Sequence, residues 1–475
     1  MNRKKSLLKN TLILSLGQIF PQLVGVITLP IYTGMLTSAE YGRYDLINVI
    51  VYILNVVVIL QIHQAVFRYL LDVRGTEKEK EYITNTIVFE LGPSLVSSVL
   101  FGVCFRELSV SVRILLGVYL FLNIQNSVVG QISRGLGKNR QYAFGAIINS
   151  GLNMILVVIL MAGAKLGFKG LFISLDIAFL SAVIYQIIAC KQLERIDFKY
   201  LSKDVLKVML NYSWPMIPNT LSIWIVNSCD KFIIRFFLGI EMNGVYAVAQ
   251  KIPNVFSIAY STFNMAWQES ASISVKDKDA DLYYDSIFKA LFDFLTGCML
   301  ILISATPILY GILIRGSYEA AYDQMSLLYI GVFLSSISSF FGSIYIAQKA
   351  TKEVGISSLI GAVINCIVNI AMIHWAGLYA ASVSTIVSYL ILTLYRGTDV
   401  KKRGFADIKY NIKHILLCLS LISISSIICY QRVLYLNIFN FLYGALGFIM
   451  LNKNMIKGIV ITVEHKIKGR SAHNE

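Results

Sequence analysis

The sequence is poor in charge and has no long hydrophilic segment. Asp, Glu, Lys and Arg make up 15% of its 475 residues, whereas an average soluble protein carries about 25%. The longest stretches between apolar blocks, near residues 191–211 and 397–413, are short and basic. The G-x-x-x-x-G-K-[ST] loop that cradles nucleotide phosphates is missing. These absences argue against a soluble domain, a nucleotide-binding domain and an ATP-driven pump contained in this chain.

Motifs of catalysis and metal binding are missing as well. The sequence has no H-E-x-x-H and no G-x-S-x-G. Its 7 cysteines lie in or at the end of apolar blocks, without C-x-x-C motifs or a zinc-type Cys/His spacing. The sequence therefore predicts no enzyme, no disulfide framework, no metal and no cofactor. The cysteines are Cys104, Cys190, Cys229, Cys298, Cys366, Cys418 and Cys429.

Apolar blocks make up most of the chain. Hydrophobic residues account for 56% of it, and the mean hydropathy is +0.67. A block of roughly 20 residues is long enough, as a helix, to cross a hydrocarbon core of about 30 Å. Barrel strands would give shorter, alternating segments. We expect an all-α integral membrane protein with fourteen transmembrane helices. The predicted spans 1 to 14 cover about 11–34, 42–66, 83–105, 110–132, 143–164, 169–190, 212–238, 243–268, 286–313, 324–347, 354–375, 377–396, 414–430 and 433–452.

The positive charge is distributed as in a membrane protein. The net charge is +15, which by itself would suggest nucleic acid as a partner. Lys and Arg, however, lie mainly in alternate loops and in the two terminal segments, as the positive-inside rule describes. We therefore expect no nucleic-acid partner, and we expect both termini to be cytoplasmic.

Internal repeats group the spans. Spans 1–6 match spans 7–12 in the same order, and the alternative explanation is coincidence in apolar sequence. Because six is an even number, both copies start from the same side of the membrane, as parallel repeats do. We expect one lobe over 1–205, a second over 206–410, and a terminal helix pair with its tail over 411–475. The matched elements are Pro21-Gln22 with Pro218-Asn219, Gly42-Arg43-Tyr44 with Gly244-Val245-Tyr246, and Gly145-Ala-Ile-Ile-Asn149 plus Asn153 with Gly361-Ala-Val-Ile-Asn365 plus Asn369.

Polar residues gather on one face of spans 1, 2, 7 and 8 when they are placed at 100° per residue. Lipid cannot hydrogen-bond such faces, so they must meet protein or water. A few interhelical hydrogen bonds would explain a few polar residues. One polar residue per turn favours a water-accessible cavity between the lobes. The predicted lining is Gln18, Gln22, Asn48, Asn55, His63, Asn219, Asn227, Asp230, Gln250, Asn254, Ser257, Ser261 and Asn264.

Predicted spans 7 and 8 contain three basic residues. They are Lys231 and Arg235 on span 7 and Lys251 on span 8, and a charge at this depth is costly without a partner. Helical rise places Asp230 and Lys251 at similar depth. They form either a neutral pair that braces the hairpin or part of a cationic site for an anionic group, such as a polyphosphate. Arg68, just beyond the end of span 2, is a candidate contact at the cavity mouth.

Three acidic residues stand alone in other spans. Glu90, Asp176 and Asp293 lie in spans 3, 6 and 9. Each is a candidate to bind a coupling proton or sodium ion. Burial beside an amide or hydroxyl partner is the alternative for each.

Four stretches of the chain resemble a known family. Tyr212-Ser-Trp-Pro-Met-Ile-Pro-Asn219, Asn227-Ser-Cys-Asp-Lys231, Gly244-Val-Tyr-Ala-Val-Ala-Gln-Lys-Ile-Pro253 and Phe67-Arg68-Tyr69 resemble bacterial polysaccharide-repeat flippases of the O-antigen and capsule type. That family belongs to the multidrug/oligosaccharidyl-lipid/polysaccharide exporter superfamily. The resemblance extends over nearly the whole chain.

The resemblance implies a function. Two six-helix lobes would enclose a cavity that opens alternately to each side of the bacterial cytoplasmic membrane. The substrate would be an undecaprenyl-diphosphate-linked oligosaccharide, with its diphosphate on Lys231, Arg235, Lys251 and Arg68. Helices 13 and 14 would serve the lipid tail. Membrane lipids, a polysaccharide polymerase and chain-length machinery would be partners, and nucleotides would not.

Two other functions stay open at this point. A cation-coupled multidrug antiporter of the same superfamily would have twelve helices and an acidic cavity. A membrane glycosyltransferase or polymerase would carry a large hydrophilic loop with paired acids. The fourteen predicted helices and the basic hairpin favour the flippase.

Overall fold

A computed structural model describes residues 17, 19–275 and 277–457, without the side chains of residues 219, 222, 223 and 225–227. The described residues form helices joined by short loops, and no strand occurs among them. The all-α class is thus confirmed. Residues 19–27 are helical and lead into the first helix below. The helices are α1 Leu29–Met35, α2 Ser38–Val58, α3 Ile62–Val73, α4 Lys78–Cys104, α5 Val110–Gly135, α6 Asn139–Val157, α7 Gly167–Ala189, α8 Lys203–Ser213, α9 Met216–Phe237, α10 Ile240–Ala249, α11 Lys251–Ser274, α12 Ala280–Leu313, α13 Glu319–Ala347, α14 Thr351–Ala376, α15 Tyr379–Lys402, α16 Ile412–Tyr430 and α17 Leu434–Leu451.

Helices occupy every predicted span within the described residues, but spans 2, 5 and 8 are among those that are not single α-helices. Span 2 is divided into α2 and α3, and Leu60 and Gln61 between them have positive φ angles of 48° and 53°. Residues with side chains seldom adopt this conformation. Span 5 ends in a π-helical segment, Val158–Gly163, and span 8 is divided between α10 and α11. Apolar periodicity does not reveal such local breaks.

Ten of the described helices are long and apolar enough to cross a membrane. The helices at predicted spans 7, 8 and 12 do not meet both conditions, and span 1 begins outside the described residues. Spans 7 and 8 carry polar faces, which lower their mean hydropathy. The multi-pass membrane class is therefore established, while the count of fourteen stays a prediction. The ten are α2, α4, α5, α6 with its π-helical extension, α7, α12, α13, α14, α16 and α17.

The chain forms two compact units. The first contains the described residues of Met1–Arg235 with Gly239–Ala247 and Arg315–Ser317. Within it, α5 packs against α3, α4 and α7, and α6 packs on α7. Phe172 is fully buried there, and its ring lies edge-on to that of Tyr119.

The second unit contains Phe236–Leu238, Val248–Ile314 and the described residues that follow Ser317. Within it, α13 packs against α11, α12 and α15, and both terminal helices, α16 and α17, pack on α12. Trp267 stacks on Phe340 with ring centroids 4.6 Å apart. The predicted boundaries of the lobes at 205/206 and 410/411 stay predictions.

Candidate functional site

Two glycines bring α2 and α10 into close contact in the first unit. A Cβ atom added to Gly42 would overlap the Ile240 carbonyl oxygen, and one added to Gly244 would overlap the Ser38 carbonyl oxygen. Glycine is required here because any side chain would push the two backbones apart. The predicted repeat places these two glycines in equivalent positions. Each predicted repeat therefore contributes one glycine to the same crossing.

Polar bonds fix the same crossing. The Ser38 hydroxyl donates to Glu241 Oε1 at 3.1 Å, and the buried Asn243 amide donates to the Gly42 carbonyl oxygen at 3.2 Å. A capping box at the start of α2, formed by Thr37 and Glu40, sets where this helix begins. The next turn of α2 is thereby held beside α10.

That next turn carries Asp45, which forms an ion pair with Lys231 of α9. Lys231 Nζ lies 2.8 Å from Asp45 Oδ1, and their side chains are 15% and 14% exposed. Asn243 Nδ2 lies 3.5 Å from the other carboxylate oxygen. An ammonium group has three N–H donors. Lys231 can therefore bind a further anionic or carbonyl oxygen in addition to Asp45.

The ion pair lines a pocket of about 300 Å³. Trp224 and Tyr52 supply aromatic rings beside the cation, and Asn48 supplies an amide. Neither Trp224 nor Ser228 belongs to the polar faces singled out in the sequence, so only the packing reveals them. Their signal in the sequence is weak, since a tryptophan and a serine are common in apolar helices. The lining residues are Asp45, Asn48, Val49, Tyr52, Trp224, Ser228 and Lys231.

The polar face of α2 divides into two parts. Asn48 reaches the pocket and accepts a hydrogen bond from the Tyr119 hydroxyl at 2.5 Å. Asn55, further along, is buried and donates to Asn123 Oδ1 and to the Ser127 hydroxyl of α5, both at 2.8 Å. Asn55 thus makes the interhelical bonds that were the alternative explanation for such faces.

Other predicted lining residues have varied surroundings. His63 is buried, with Gln64 Nε2 lying 3.3 Å from its Nε2. Gln22 is exposed. Asp230 accepts a hydrogen bond from the Tyr246 hydroxyl at 3.4 Å. The side chains of Gln18, Asn219 and Asn227 lie outside the described residues.

The predicted face of span 8 continues on α11, in the second unit. Asn254 and Ser261 are exposed, and Gln250 and Ser257 are half-buried. Asn264 accepts a hydrogen bond from the Ser343 hydroxyl at 3.1 Å. Most of this face is therefore accessible along the helix.

The four predicted cations lie in different surroundings. Lys231 lines the pocket, and Arg235 is exposed one turn further along α9. Arg68 is exposed on α3 and pairs with Asp72 at 2.7 Å, and it is not part of the pocket lining. Lys251 is half-buried and belongs to the second unit.

The neighbours of Arg68 in the family-like motif are packing residues. The Arg134 guanidinium lies over the Phe67 ring at 4.7 Å, and Tyr69 stacks on Tyr82 with centroids 5.2 Å apart. In this motif, therefore, the arginine is exposed while the two aromatic rings hold α3 against its neighbours.

The three lone acids differ in how they are satisfied. The two oxygens of Glu90 accept from Gln125 Nε2 at 3.0 and 2.9 Å. Asp293 pairs with His414 at 2.6 Å. Asp176 is buried, and neither of its oxygens has a hydrogen-bond partner among the described residues. Of the three, Asp176 is the acid whose carboxylate has no hydrogen-bond partner among the described residues. Ion coupling by any of them stays a prediction.

Arg396 is a buried cation that sequence reasoning missed. It lies at the end of predicted span 12, where a basic residue reads as an ordinary interfacial charge. In the structure it is only 4% exposed. Its guanidinium donates to the hydroxyls of Ser338, Ser357 and Ser358 and to the carbonyls of Ser338 and Val354. Because all the N–H groups of its guanidinium already donate hydrogen bonds, we assign Arg396 a role in helix packing.

Comparisons with known proteins place the chain in a family. A family model described as "polysaccharide biosynthesis protein" matches residues 7–268, more than half of the chain. No curated protein sequence matches the chain.

Solved structures share the fold at low sequence identity. The chain is similar to a structure described as the lipid II flippase MurJ in an inward closed conformation, with a TM-score of 0.71 and 14% identity over 94% of this chain and 100% of that one. The chain is also similar to a structure described as an inward-facing multidrug resistance MATE family transporter of the MOP superfamily. The TM-score is 0.64 and the identity 14%, over 82% of this chain and 95% of that one. For a MOP superfamily transporter from Pyrococcus furiosus, the TM-score is 0.56 and the identity 14%, over 84% of this chain and 96% of that one.

The family model and the shared folds agree with the resemblance found in the sequence, and the solved structures with this fold are described as a flippase and as transporters. The chain is therefore a multi-pass membrane protein that belongs to the polysaccharide biosynthesis protein family and has the fold of the MOP superfamily transporters.

Proposed function

We propose that this protein is a flippase that moves undecaprenyl-diphosphate-linked oligosaccharide repeat units from the cytoplasmic to the outer leaflet of a bacterial cytoplasmic membrane by alternating access. The product serves the synthesis of a surface polysaccharide of capsule or O-antigen type. The family match and the fold shared with a lipid II flippase support a lipid-linked substrate.

The observation that carries the proposal is Lys231 in its pocket. An ammonium group binds phosphate through charge-assisted hydrogen bonds. An arriving diphosphate accepts hydrogen bonds from the ammonium group of Lys231 in addition to the bond to Asp45. Trp224 and Tyr52 offer flat apolar surfaces beside the cation. The C–H faces of a sugar ring attached to the diphosphate suit such surfaces.

The size of the pocket limits what it holds. About 300 Å³ is at the lower end of the range for ligand pockets. It suits one phosphate-and-sugar portion of a long substrate, and the remaining sugars need other polar surface. Arg235, Lys251 and Arg68 are proposed as further contacts of the diphosphate.

Export of surface polysaccharide tests the role of Lys231. In cells that lack their own flippase, Lys231→Ala and Lys251→Ala should each reduce export about tenfold or more, because a hydrogen bond to a charged group contributes about 1.5–3 kcal/mol. Lys289→Ala is the control, since Lys289 is half exposed and pairs within its own helix with Asp285. The amount of protein in the membrane is measured for each variant.

A second variant distinguishes binding of the diphosphate by Lys231 from a structural role of the Asp45–Lys231 pair. Asp45→Leu combined with Lys231→Met removes both charges and keeps similar volume, a change that buried ion pairs often tolerate. If Lys231 binds the substrate, this protein stays in the membrane and exports nothing. Normal export by the double variant would overturn the proposal.

A cation-coupled multidrug antiporter is the second candidate. The fold shared with a MATE family transporter favours it, and so does the buried carboxylate of Asp176, which lacks a hydrogen-bond partner among the described residues. An antiporter would restore resistance to organic cations in sensitive cells without affecting polysaccharide. A membrane glycosyltransferase or polymerase has no support from the transporter folds.

The proposal also covers orientation and partners. Both termini lie in the cytoplasm, α16 and α17 contact the lipid tail, and a polysaccharide polymerase with its chain-length machinery takes up the product. Reporter fusions at each terminus test the orientation, and an active periplasmic reporter at either end would contradict it.

A further inference from the structure

A cluster of three side chains lies outside the pocket, in the second unit. Among the described residues, Asp293, His414 and Cys418 form a group whose potential ligand atoms all lie within 4.8 Å of one another. His414 and Cys418 are one turn apart on α16, and Asp293 comes from α12. We propose that these three side chains form a binding site for one divalent transition-metal ion of the zinc class, which clips α16 to α12.

The distances are close to those of a metal site. Zinc binds nitrogen and oxygen at 2.0–2.2 Å and sulfur at 2.3 Å in a tetrahedral array, so neighbouring ligand atoms are about 3.3–3.8 Å apart. Cys418 Sγ lies 3.7 Å from His414 Nε2. His414 Nε2 lies 2.6 Å from Asp293 Oδ1, a hydrogen-bond distance. A metal that replaces the shared proton needs these two atoms to separate by less than 1 Å.

The ligand types select the metal. A thiolate, an imidazole and a carboxylate suit zinc and its first-row neighbours, whereas magnesium and calcium prefer oxygen ligands alone. Three protein ligands leave a fourth position for water. The site therefore discriminates against the abundant hard cations.

The burial of the three groups suits uptake of an ion. Cys418 is fully buried, while the side chains of His414 and Asp293 are 36% and 27% exposed. An ion can approach from the side of the imidazole and the carboxylate and reach the thiol last. Partial exposure also lets the site lose the protons that metal binding releases.

The surroundings hold the ligands in place. Asn411 accepts from the His414 backbone N–H at 3.2 Å and so caps the start of α16. The buried Asn452 amide, just beyond α17, donates to the Asp293 carbonyl oxygen at 3.3 Å. Both terminal helices are thus tied to α12 around Asp293. A metal there would stabilise the docking of the terminal helix pair.

The sequence predicted no metal because the third ligand is distant in the chain. Asp293 and His414 are 121 residues apart. The His414-x-x-x-Cys418 spacing on one helix face was the available signal, and two ligand residues alone do not specify a metal site. Folding brings Asp293 of α12 next to these two residues.

Cobalt(II) is the probe for this site, because a cobalt–thiolate bond gives a charge-transfer absorption that other ligands do not. Full-length protein in detergent, stripped with a chelator, should bind one cobalt ion per chain with that band, and zinc should displace it. Cys418→Ser should lose the band, and His414→Ala and Asp293→Asn should weaken binding by about 100-fold or more, since even outer-shell changes cost 10–100-fold. Cys298→Ser, on α12 but outside the cluster, and His374→Ala should bind as the original protein does.

Thermal unfolding keeps the test decisive if a variant folds poorly. Zinc should raise the Tm of the original protein and of Cys298→Ser, and a chelator should reverse the rise. An absent thiolate band, or equal loss of binding in Cys298→Ser and Cys418→Ser, would overturn the site. In that case His414 and Asp293 form a hydrogen-bonded pair only.

Discussion

Two charged clusters, one in each unit, begin from the same arrangement and differ in what surrounds it. In the first unit Asp45 pairs with Lys231, which lies 186 residues away. In the second, Asp293 pairs with His414 across 121 residues. The third neighbour differs: aromatic rings and an amide surround Lys231, while a buried thiol lies beside His414.

The difference shows that the surroundings of an acid–base pair decide which kind of ligand the pair can bind. Lys231 faces a pocket, so an anion can bind it beside Asp45. His414 Nε2 lies 3.7 Å from the Cys418 thiol, so the imidazole and the thiol present two ligand atoms to one cation. The first cluster suits an anionic substrate and the second a metal ion. Three pairs of substitutions test this comparison.

The largest effect is expected at the glycine crossing that holds the first cluster. Gly→Ala within a helix normally stabilises by about 0.5–1 kcal/mol, as expected for Gly151→Ala, where an added Cβ meets nothing within 4 Å. Gly244→Ala instead overlaps the Ser38 carbonyl oxygen and should destabilise by about 1–3 kcal/mol, as overpacking does. Export should fall to background, while cobalt binding in the second unit persists. Equal Tm and export in the two variants would show that the crossing tolerates side chains.

An intermediate effect is expected from the same substitution in both clusters. Asp45→Asn removes the carboxylate partner of Lys231. It should lower the free energy of unfolding by about 2 kcal/mol, because a hydrogen bond to a charged group contributes about 1.5–3 kcal/mol. Asp293→Asn, measured with chelator present, should lower the free energy of unfolding by about 1 kcal/mol or less, since the Asp293–His414 pair is partly exposed and screened by solvent. Denaturant unfolding of both variants makes the comparison. If Asp293→Asn lowered the free energy of unfolding more than Asp45→Asn, the Asp293–His414 pair would contribute more to stability than the Asp45–Lys231 pair, contrary to our expectation.

The smallest effect is expected at an acid outside both clusters. Asp176→Asn removes no hydrogen bond within the described residues and should change stability by less than about 0.5 kcal/mol. Glu90→Gln places an amide N–H₂ against that of Gln125 and should cost about 1 kcal/mol or more. If Asp176 couples an ion, its variant stays folded but loses export driven by an ion gradient. A stable Asp176→Asn protein with full export would exclude that role.

Much of the fold was predictable because membrane insertion depends on local composition. Apolar blocks of about 20 residues gave helices at every predicted position within the described residues. The repeat also predicted which residues are equivalent, and Gly42 and Gly244 then meet at one crossing. The break at Leu60 and Gln61 was not predictable, because neither residue is a glycine or proline.

The candidate site was predictable only in part. Periodicity identified the polar face of α2, but it did not show that Asn48 reaches the pocket while Asn55 bonds to α5. Lys231 stood out because a charge inside an apolar span is costly. Its partner Asp45, on the other hand, lies on another helix, and helical spacing gives no information on such pairs.

The sequence by itself determined the class of this protein: an all-α membrane protein of a polysaccharide biosynthesis family. Those properties follow from hydropathy, charge and motif, which act over one or two helical turns. The tertiary structure decided which groups meet. Asp45 with Lys231, and Asp293 with His414 and Cys418, are brought together by helix packing, which depends on the shapes of faces that lie more than a hundred residues apart in the chain.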